Sequence, residues 1–308
     1  LSEQDNAYVV KGEKFEITFS KSEGTLAAYS LNGVPMISKG PALNLFRSPT
    51  DNDKQVSGEW QRKGLYDLKC EVGQWNVNKE DDEVVLCIRN TYKARNGFDY
   101  QTELEYRVAA DGSVMVNSVI IPAVKGEIIP RVGYRLELPE GFERMRWYGR
   151  GPLENYVDRK WASNVDVYES TVSDQWVKYV KPQEMGNHED LRWISITNFD
   201  GQGVVFVAAD KLSATALHVR AQDMTDPEQL QKRIHDYEIM QRKETILCLD
   251  AANRPLGNAS CGPGPMQKYE LRSEPLAFSF MMLPLERSYT QDELTEKARV
   301  QMPVSMPV

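Results

Sequence analysis

Pairs of acidic residues lie close together at several points of the chain, for example Glu154 and Asp158. Two carboxyl groups placed on either side of a bond can act as an acid and as a nucleophile or base. Spacing alone does not select such a pair. Glu103 and Glu105 are two apart on a predicted strand, so both side chains are expected on one solvated face. Acidic pairs alone therefore do not identify an active site.

A carboxylate, an amide, an imidazole and a guanidinium follow closely in Glu184, Asn187, His188 and Arg192. Together they offer donors and acceptors that could hydrogen-bond the hydroxyl groups of a sugar. A proton-transferring site would need a histidine facing an acid across a cleft, which His188 or His235 with Glu184 could supply. We interpret the first four residues as candidate carbohydrate contacts.

Residues 147–159 contain two glycines, a proline and three aromatic residues, without a helical or strand period. Glycine permits backbone angles closed to other residues, and proline fixes one more. The segment therefore predicts a rigid turn that follows a strand and presents its charged side chains. A plain surface turn would show the same composition. Asn155 and Asp158 are taken as further candidate carbohydrate contacts.

The run Asp51, Asn52, Asp53 is rich in oxygen ligands but lacks the later glycine and glutamate of an EF-hand calcium loop. Turns in which the side chains bond to the nearby backbone explain this run better. We therefore predict no metal site here.

The four cysteines are widely spaced and form no CxxC pair. This spacing argues against a metal site or a disulfide framework. Cys87 and Cys248 lie in apolar runs, where a free thiol behaves as a small hydrophobic group. Cys261 follows Ser260 in a glycine-rich loop and has no histidine beside it in sequence to activate it. We expect no cofactor in this chain.

The formal net charge of −8 argues against a nucleic-acid partner, which requires a basic surface. No stretch approaches the roughly 18 apolar residues of a membrane helix, so no membrane partner is expected. No charged and then apolar leader opens the chain, and its start at Leu1 suggests a fragment. The compartment is therefore left as cytoplasmic or periplasmic.

Alternation of apolar and polar residues predicts a series of antiparallel strands. Phe15, Ile17 and Phe19 share one face of the first clear strand, and Asn32-Gly33 predicts a tight hairpin turn. Further strands are predicted at residues 84–88, 100–108, 114–119, 132–138, 193–197, 204–208, 246–249 and 276–282. Many strands without a linker indicate one large antiparallel β-sandwich.

Helix signals are few. Residues 60–64 could form one helical turn, and Thr225 to Glu228 has the pattern of a capping box opening a helix towards Lys232. A second capping box, Thr290 to Glu293, predicts a C-terminal helix to about Val300. The tail 302–307 is predicted to be disordered. We predict one domain over residues 1–308, with its core at about 8–285 and the helix and tail at 286–308.

Four ordered motifs resemble the C-terminal small-chain domain of family-2 β-galactosidases, the lac-type enzymes. The segment 147–159 is similar to that family's Gly-Arg-Gly-Pro-x-Glu-Asn-Tyr-x-Asp-Arg signature. The other three are Phe46-Arg47-Ser48-Pro49-Thr50-Asp51-Asn52-Asp53, Tyr179-Val180-Lys181-Pro182-Gln183-Glu184-Met185-Gly186-Asn187 and Leu256-Gly257-Asn258-Ala259-Ser260-Cys261-Gly262. The resemblance runs from about Phe15 to Leu283.

The resemblance implies an all-β, galactose-mutarotase-like supersandwich with a few short helices. It also implies that the catalytic glutamates belong to a separate (β/α)8 barrel, since nothing here shows the βα alternation of a barrel. The expected function is therefore a domain that completes the active-site cleft of an enzyme hydrolysing terminal β-D-galactosides. The expected partners are a galactoside sugar and the enzyme's catalytic barrel and sandwich domains, with a homo-oligomer left open. The isolated chain is expected to be inactive, and any divalent or monovalent cations would belong to the parent enzyme.

The resemblance places two loops at the cleft or at the contact between domains, namely Asp51, Asn52, Asp53 and Ser260, Cys261. Lac-type enzymes carry a sugar-stacking tryptophan where Cys261 falls in this chain. A thiol cannot stack on a sugar ring as an indole does, so the parent enzyme is expected to have a different acceptor subsite. Two alternatives remain open from the sequence: a stand-alone carbohydrate-binding module and an aldose 1-epimerase.

Overall fold

A computed structural model describes residues 1–226 and 234–300. Within these ranges the chain forms two antiparallel sheets and three α-helices. The smaller sheet contains β1 Ser2–Glu3, β2 Ala7–Lys11, β3 Phe15–Ser20, β4 Thr25–Leu31 and β5 Val34–Ile37. The larger sheet contains β6 Lys39–Asn44, β7 Lys69–Glu80, β8 Glu83–Lys93, β9 Tyr100–Ala109, β10 Val114–Pro122, β11 Arg131–Leu138, β12 Arg144–Gly151, β13 Asn164–Thr171, β14 His188–Thr197, β15 Gly203–Leu217, β16 Thr245–Asn253 and β17 Leu276–Leu285. The helices are α1 Ser57–Lys63, α2 Ala221–Met224 and α3 Gln291–Val300.

The two sheets pack against each other through alternating apolar side chains. In β3, Phe15, Ile17 and Phe19 are buried, as their alternation predicts. The ring of Phe19 lies 5.1 Å from that of Tyr106 on β9, in an edge-to-face arrangement. Apolar contacts continue through one core cluster from Val10 to Met282. The predicted all-β antiparallel architecture with few helices is confirmed.

The larger sheet branches at β15. Its first half, Gly203–Ala208, lies between β14 and β17, whereas its second half, Ser213–Leu217, pairs with β16. From β16 the branch continues to β11 and then to β6. Strand β15 therefore belongs to both regions of the sheet, the one that contains β14 and β17 and the one that contains β16, β11 and β6.

Tight turns connect the strands where glycine follows Asn or Asp. Asn32 and Gly33 both have positive φ, 50° and 78°, between β4 and β5. Positive φ at both central residues suits the right-handed twist of a hairpin, so the predicted turn is confirmed. Gly201, with φ of 83°, closes the predicted hairpin between β14 and β15.

Two sequence predictions differ from the structure, and two others fall outside the described residues. Residues 147–151 belong to β12, so only the second half of the 147–159 segment is a turn. The solvated edge strand β7 was missed because its residues are mostly polar and exposed. The helix predicted from Thr225 lies almost wholly outside the described residues, and α2 ends just before it. The tail 302–307 also lies outside them.

The C-terminal helix α3 is confirmed, together with its capping box. Thr290 Oγ1 accepts a hydrogen bond from the Glu293 amide at 3.2 Å, and Glu293 Oε2 accepts one from the Thr290 amide at 2.6 Å. The turn predicted at residues 60–64 is part of α1, which ends at Gly64 with φ of 71°. Along the described chain, no helix has the length and apolar character needed to span a membrane.

Candidate functional site

The four motif segments, far apart in sequence, meet at one place in the fold. We call the surface formed by residues 46–53, 147–159, 179–187 and 256–262 the motif face. Each segment follows or precedes a strand of the larger sheet, so the sheet sets their spacing. Direct hydrogen bonds then join the segments to one another.

Asp53 anchors the first segment through two arginines. Arg47 Nη2 donates to Asp53 Oδ1 at 2.8 Å, and Arg254 Nη1 donates to the same oxygen at 2.8 Å. Arg254 also pairs with Glu270 through two hydrogen bonds of 2.6 and 3.0 Å. Arg47 and Asp53 are fully buried. Each charge in this interior network is offset by a partner, as burial requires.

The predicted side-chain-to-backbone turn at residues 50–53 is present. Asp53 Oδ2 accepts hydrogen bonds from the Thr50 amide at 2.9 Å and from the Thr50 hydroxyl at 3.0 Å. The carboxylate therefore points into the protein. Asp51, in contrast, is exposed, and its backbone amide donates to Gln183 Oε1 at 3.1 Å.

The first segment contacts the glycine-rich loop 256–262. Asn52 Nδ2 donates to the Gly257 carbonyl at 3.0 Å, and the Ser260 amide donates to Asn52 Oδ1 at 2.9 Å. The structure thus brings together the two loops that the sequence placed at the cleft. Ser260 and Cys261 remain exposed at their edge.

Asp158 fixes the same glycine-rich loop from the other side. Its carboxylate accepts hydrogen bonds from the Leu256 amide at 3.0 Å and the Gly257 amide at 2.8 Å. Next to it, Arg159 Nη2 donates to Asn258 Oδ1 at 3.0 Å. Asp158, predicted as a carbohydrate contact, is therefore bonded to the protein backbone.

Asn155 joins the second segment to the third. Its backbone amide donates to the Asn187 backbone carbonyl at 2.7 Å, and the Asn187 side-chain Nδ2 donates to the Asn155 backbone carbonyl at 2.8 Å. Asn155 Oδ1 also accepts a hydrogen bond from the Glu189 amide at 2.9 Å. Both asparagines are buried, so these predicted contact residues bond to each other across the interior.

Glu184 belongs to a second buried charge cluster. Arg131 Nη1 donates to Glu184 Oε1 at 3.1 Å, and its Nη2 donates to Asp250 Oδ2 at 2.5 Å. One guanidinium faces two carboxyl groups in a site removed from water. Burial raises the pKa of Asp250 to about 6, although Arg131 opposes that rise. Burial likewise raises the pKa of Glu184.

His188 and Arg192 lie on β14 and make contacts of their own. The His188 ring is buried 4.2 Å from the Trp147 ring, and its Nε2 lies 2.9 Å from Gln175 Oε1. Burial lowers the pKa of His188 to about 4, so the imidazole is neutral near pH 7. The Arg192 guanidinium lies over the Tyr148 ring at 5.4 Å. The prediction of carbohydrate contacts at these residues stays a prediction.

Sequence reasoning missed four buried charged residues whose ion pairs support the motif segments, namely Arg47, Arg131, Asp250 and Arg254. Among them, Asp250 carries a detectable signal, because it is the one charged residue of β16, a mostly apolar strand. Its partner Arg131 is far away in sequence, however, so the pairing itself leaves no local pattern.

Three large apolar side chains are exposed on or beside the motif face. Leu153 is 64% exposed, Val180 is 96% exposed, and Trp161 is 102% exposed on the relative scale. Exposed apolar groups beside a polar, internally bonded surface are typical of contact sites for other protein. Trp60, in contrast, is fully buried in α1.

Comparisons with known proteins agree with the motif resemblance. The family model for the β-galactosidase small chain matches residues 11–282. A β-galactosidase of Staphylococcus xylosus is 28% identical over 87% of this chain and 26% of its own length. The β-galactosidase BgaC of Bifidobacterium adolescentis is 28% identical over 89% of this chain and 26% of its own length. The chain thus spans about a quarter of these curated relatives.

Among solved structures, a galactose mutarotase related enzyme from Lactobacillus acidophilus matches with a TM-score of 0.47 and 9% identity, covering 92% of this chain and all of its own. The sequence match extends over most of the chain and includes all four segments of the motif face. The chain belongs to the β-galactosidase small-chain family.

Proposed function

We propose that this chain is the small-chain part of a β-galactosidase and completes the active-site cleft of that enzyme. The parent reaction would be hydrolysis of terminal β-D-galactosides. The observation that carries the proposal is the convergence of the four motif segments into one face bordered by Leu153, Val180 and Trp161. In this view the motif face contacts the catalytic barrel of the same enzyme.

Four of the five carboxyl groups on the motif face are held by hydrogen bonds within the protein and Asp51 is the exposed one, which supports a catalytic site in another domain. Hydrolysis of a glycoside requires two carboxyl groups that flank the bond and remain free to reach the substrate. Asp53 and Glu184 are bonded to buried arginines, and Asp158 is bonded to two backbone amides. Glu154 accepts a hydrogen bond from the Gly186 amide at 2.8 Å and another from the Tyr179 hydroxyl. The proposal therefore assigns the catalytic pair to the barrel.

The site residues then divide into two roles. Asn155, Asn187 and Glu184 are buried and hold the loops in place. Asp51 and Cys261, which are exposed, would form the edge of the cleft that substrate or acceptor approaches. A thiol at Cys261 leaves that edge without an aromatic platform for a sugar.

The test is a reconstitution assay with a chromogenic β-galactoside. The 308-residue chain alone should give no turnover, and activity should depend on adding it to the remaining domains of the same enzyme. The double variant Val180→Asp, Trp161→Asp should lose at least tenfold in the apparent affinity of this reconstitution, because charge replaces buried apolar contacts at the interface.

The matched control is Phe199→Asp, which changes an equally apolar residue that is 69% exposed in the turn between β14 and β15, outside the motif face. It should reconstitute as well as the unaltered chain. Turnover by the chain alone would contradict the proposal, because the catalytic carboxyl groups would then be here. An equal loss of apparent affinity in the double variant and in Phe199→Asp would show that the motif face is not the docking surface.

A further inference from the structure

A second concave site lies away from the motif face. A cleft of about 510 Å³ opens between β6, the segment 65–70, β11 and α2. Its volume falls within the range of small-molecule sites, roughly 300–1,000 Å³. Leu43, Leu45 and Leu65 form part of its wall.

Three guanidinium groups line this cleft, and two of them have acidic partners. Arg242 forms a two-hydrogen-bond pair with Asp223 at 2.7 and 2.7 Å. Arg220 Nη2 donates to Glu137 Oε1 at 2.5 Å. Glu137 and Asp223 are thereby paired with Arg220 and Arg242.

Arg135 is the third guanidinium, and it is only partly exposed on β11. Within residues 1–226 and 234–300, no hydrogen bond or ion pair is formed by its side chain. Burial lowers the pKa of Arg135, and the like charges of Arg220 and Arg242 add to this, while Cys248 and Glu137 oppose it without reversing it. A positive group in a partly buried cleft is costly unless an anion offsets it.

Further polar atoms in the cleft also lack partners. Arg220 Nε and Gln222 Oε1 are buried without a hydrogen bond in the described part of the chain. Gln222 Nε2 is fixed by the Tyr66 carbonyl at 3.0 Å, which orients its free oxygen. A ligand here would meet donors from Arg135 and Arg220 and an acceptor from Gln222.

We propose that this cleft binds a small organic anion through a carboxylate or phosphate group held by Arg135. The planar fork of an arginine matches the oxygen pairs of both groups and can bind them with two parallel hydrogen bonds. The anion supplies the charge that Arg135 lacks. A hydroxyl group of the same ligand donates to Gln222 Oε1, and its carbon skeleton packs on the leucine wall.

The experiment compares probes that share one ring and differ in charge. Titration calorimetry of the 308-residue chain would use glucose 6-phosphate, glucuronate and neutral glucose, with inorganic phosphate as a fourth probe, all at one ionic strength. At least one of the charged sugars should bind saturably and glucose should not. The stronger of the two identifies whether phosphate or carboxylate is preferred.

The variant Arg135→Met removes the guanidinium and keeps an unbranched apolar stem. It should weaken binding of the charged sugar about tenfold or more, the amount expected for losing a charge-assisted pair. The matched control Arg89→Met changes an exposed arginine on β8 that pairs with Glu103 outside the cleft. It should bind as the unaltered chain does.

Equal binding by Arg135→Met and the unaltered chain would overturn the proposal, as would equal binding of glucose and its charged analogues. If Arg135→Met does not fold, the melting temperature of the unaltered chain tests whether the anion binds. It should rise with the bound anion and not with glucose. No rise with any of the charged probes at millimolar concentration would overturn the proposal.

Discussion

At the scale of single residues, the polar side chains of the motifs mostly bind other parts of the protein. Asp53 shows this most clearly, because Arg47 and Arg254 both donate to its carboxylate in the interior. Removing that carboxylate would leave the buried Arg47 guanidinium without a counter-charge, while Arg254 would keep its pair with Glu270. An uncompensated buried charge is far more costly than a lost surface pair.

We therefore expect Asp53→Ala to lower the free energy of unfolding by about 3–5 kcal/mol. The control is Glu103→Ala, which breaks an exposed pair with Arg89 and should cost less than about 1 kcal/mol. Urea unfolding followed by circular dichroism measures both. Similar losses in the two variants would show that the Asp53 network is energetically no different from a surface pair.

His188 gives a prediction about pH. In the folded chain burial lowers its pKa to about 4, whereas the unfolded value is near 6.5. The unfolded state therefore takes up a proton first as the pH falls, and stability is lost between about pH 6.5 and pH 4. From pH 7 to pH 5, the unaltered chain should lose about 2 kcal/mol more than His188→Gln.

Urea unfolding at pH 5, 6 and 7 would measure this difference. Since the substitution removes only one titrating group, the other groups contribute equally to both curves. Parallel pH dependences for the two proteins would contradict a buried, neutral His188.

Residue roles were the part of the site that sequence predicted least well. The structure joins the segments that carry Glu184, Asn155 and Asn187, and the contact of these residues with carbohydrate stays a prediction. Their burial was not foreseen, because a polar residue is expected outside unless its partner is known. Arg131, the partner of Glu184, lies 53 positions away.

At the scale of elements, turns and helix caps could be predicted from sequence because they depend on residues close together in the chain. Asn32-Gly33 and the Thr290 capping box act within a few residues, and both are present. The strand β7 was missed because only Val72, Trp75 and Val77 on it pack against the core, and a register shift between Val72 and Trp75 interrupts their alternation. The branching of β15 could not be predicted from its own residues either. Its two halves pair with different strands but do not differ in their sequence pattern.

Two glycines with positive φ should respond differently to substitution. At Gly33, a Cβ would meet no atom within 4 Å, so Gly33→Ala pays only for the left-handed backbone, about 1–2 kcal/mol. At Gly201, a Cβ would lie 2.2 Å from the amide nitrogen of Ser288. Gly201→Ala should therefore cost a further 1–3 kcal/mol or so, as overpacking does.

Thermal unfolding of the two variants under one buffer condition makes the comparison. The expected order is a larger fall in melting temperature for Gly201→Ala. The reverse order would mean that the loop carrying Ser288 moves away freely and that the contact between this loop and the hairpin is weak.

At the scale of the whole molecule, the fold class followed from sequence, since strand after strand alternates. The packing of the two sheets and the position of the motif face depend on long-range pairing, which no window of sequence contains. The proposed docking of this face makes a prediction about the exposed thiol of Cys261. Association with the rest of the enzyme should slow its reaction with a maleimide carried on a long polyethylene glycol chain at least tenfold, because a cleft that admits a sugar excludes the polymer.

Cys70 is the internal control, because it is exposed on β7 and away from the motif face. Partial desolvation raises the pKa of its thiol, and because these surroundings lie away from the motif face, the reaction rate at Cys70 should be the same in both states. Peptide mapping by mass spectrometry would follow the two sites in one sample. An unchanged rate at Cys261 in the assembled enzyme would place the docking surface elsewhere.

The contacts that build the motif face also set the order in which it can form. Arg47 donates to the Arg254 carbonyl 207 positions later, and Asn52 donates to the Gly257 carbonyl 205 positions later. During synthesis, the segment 46–53 therefore cannot make these contacts until the loop 256–262 has been synthesised. Contacts between residues so distant in sequence also form slowly. A chain released from the ribosome before residue 254 would lack the loop 256–262, which Asn52 and Asp158 hold in place. The face is therefore complete only after this loop has been synthesised.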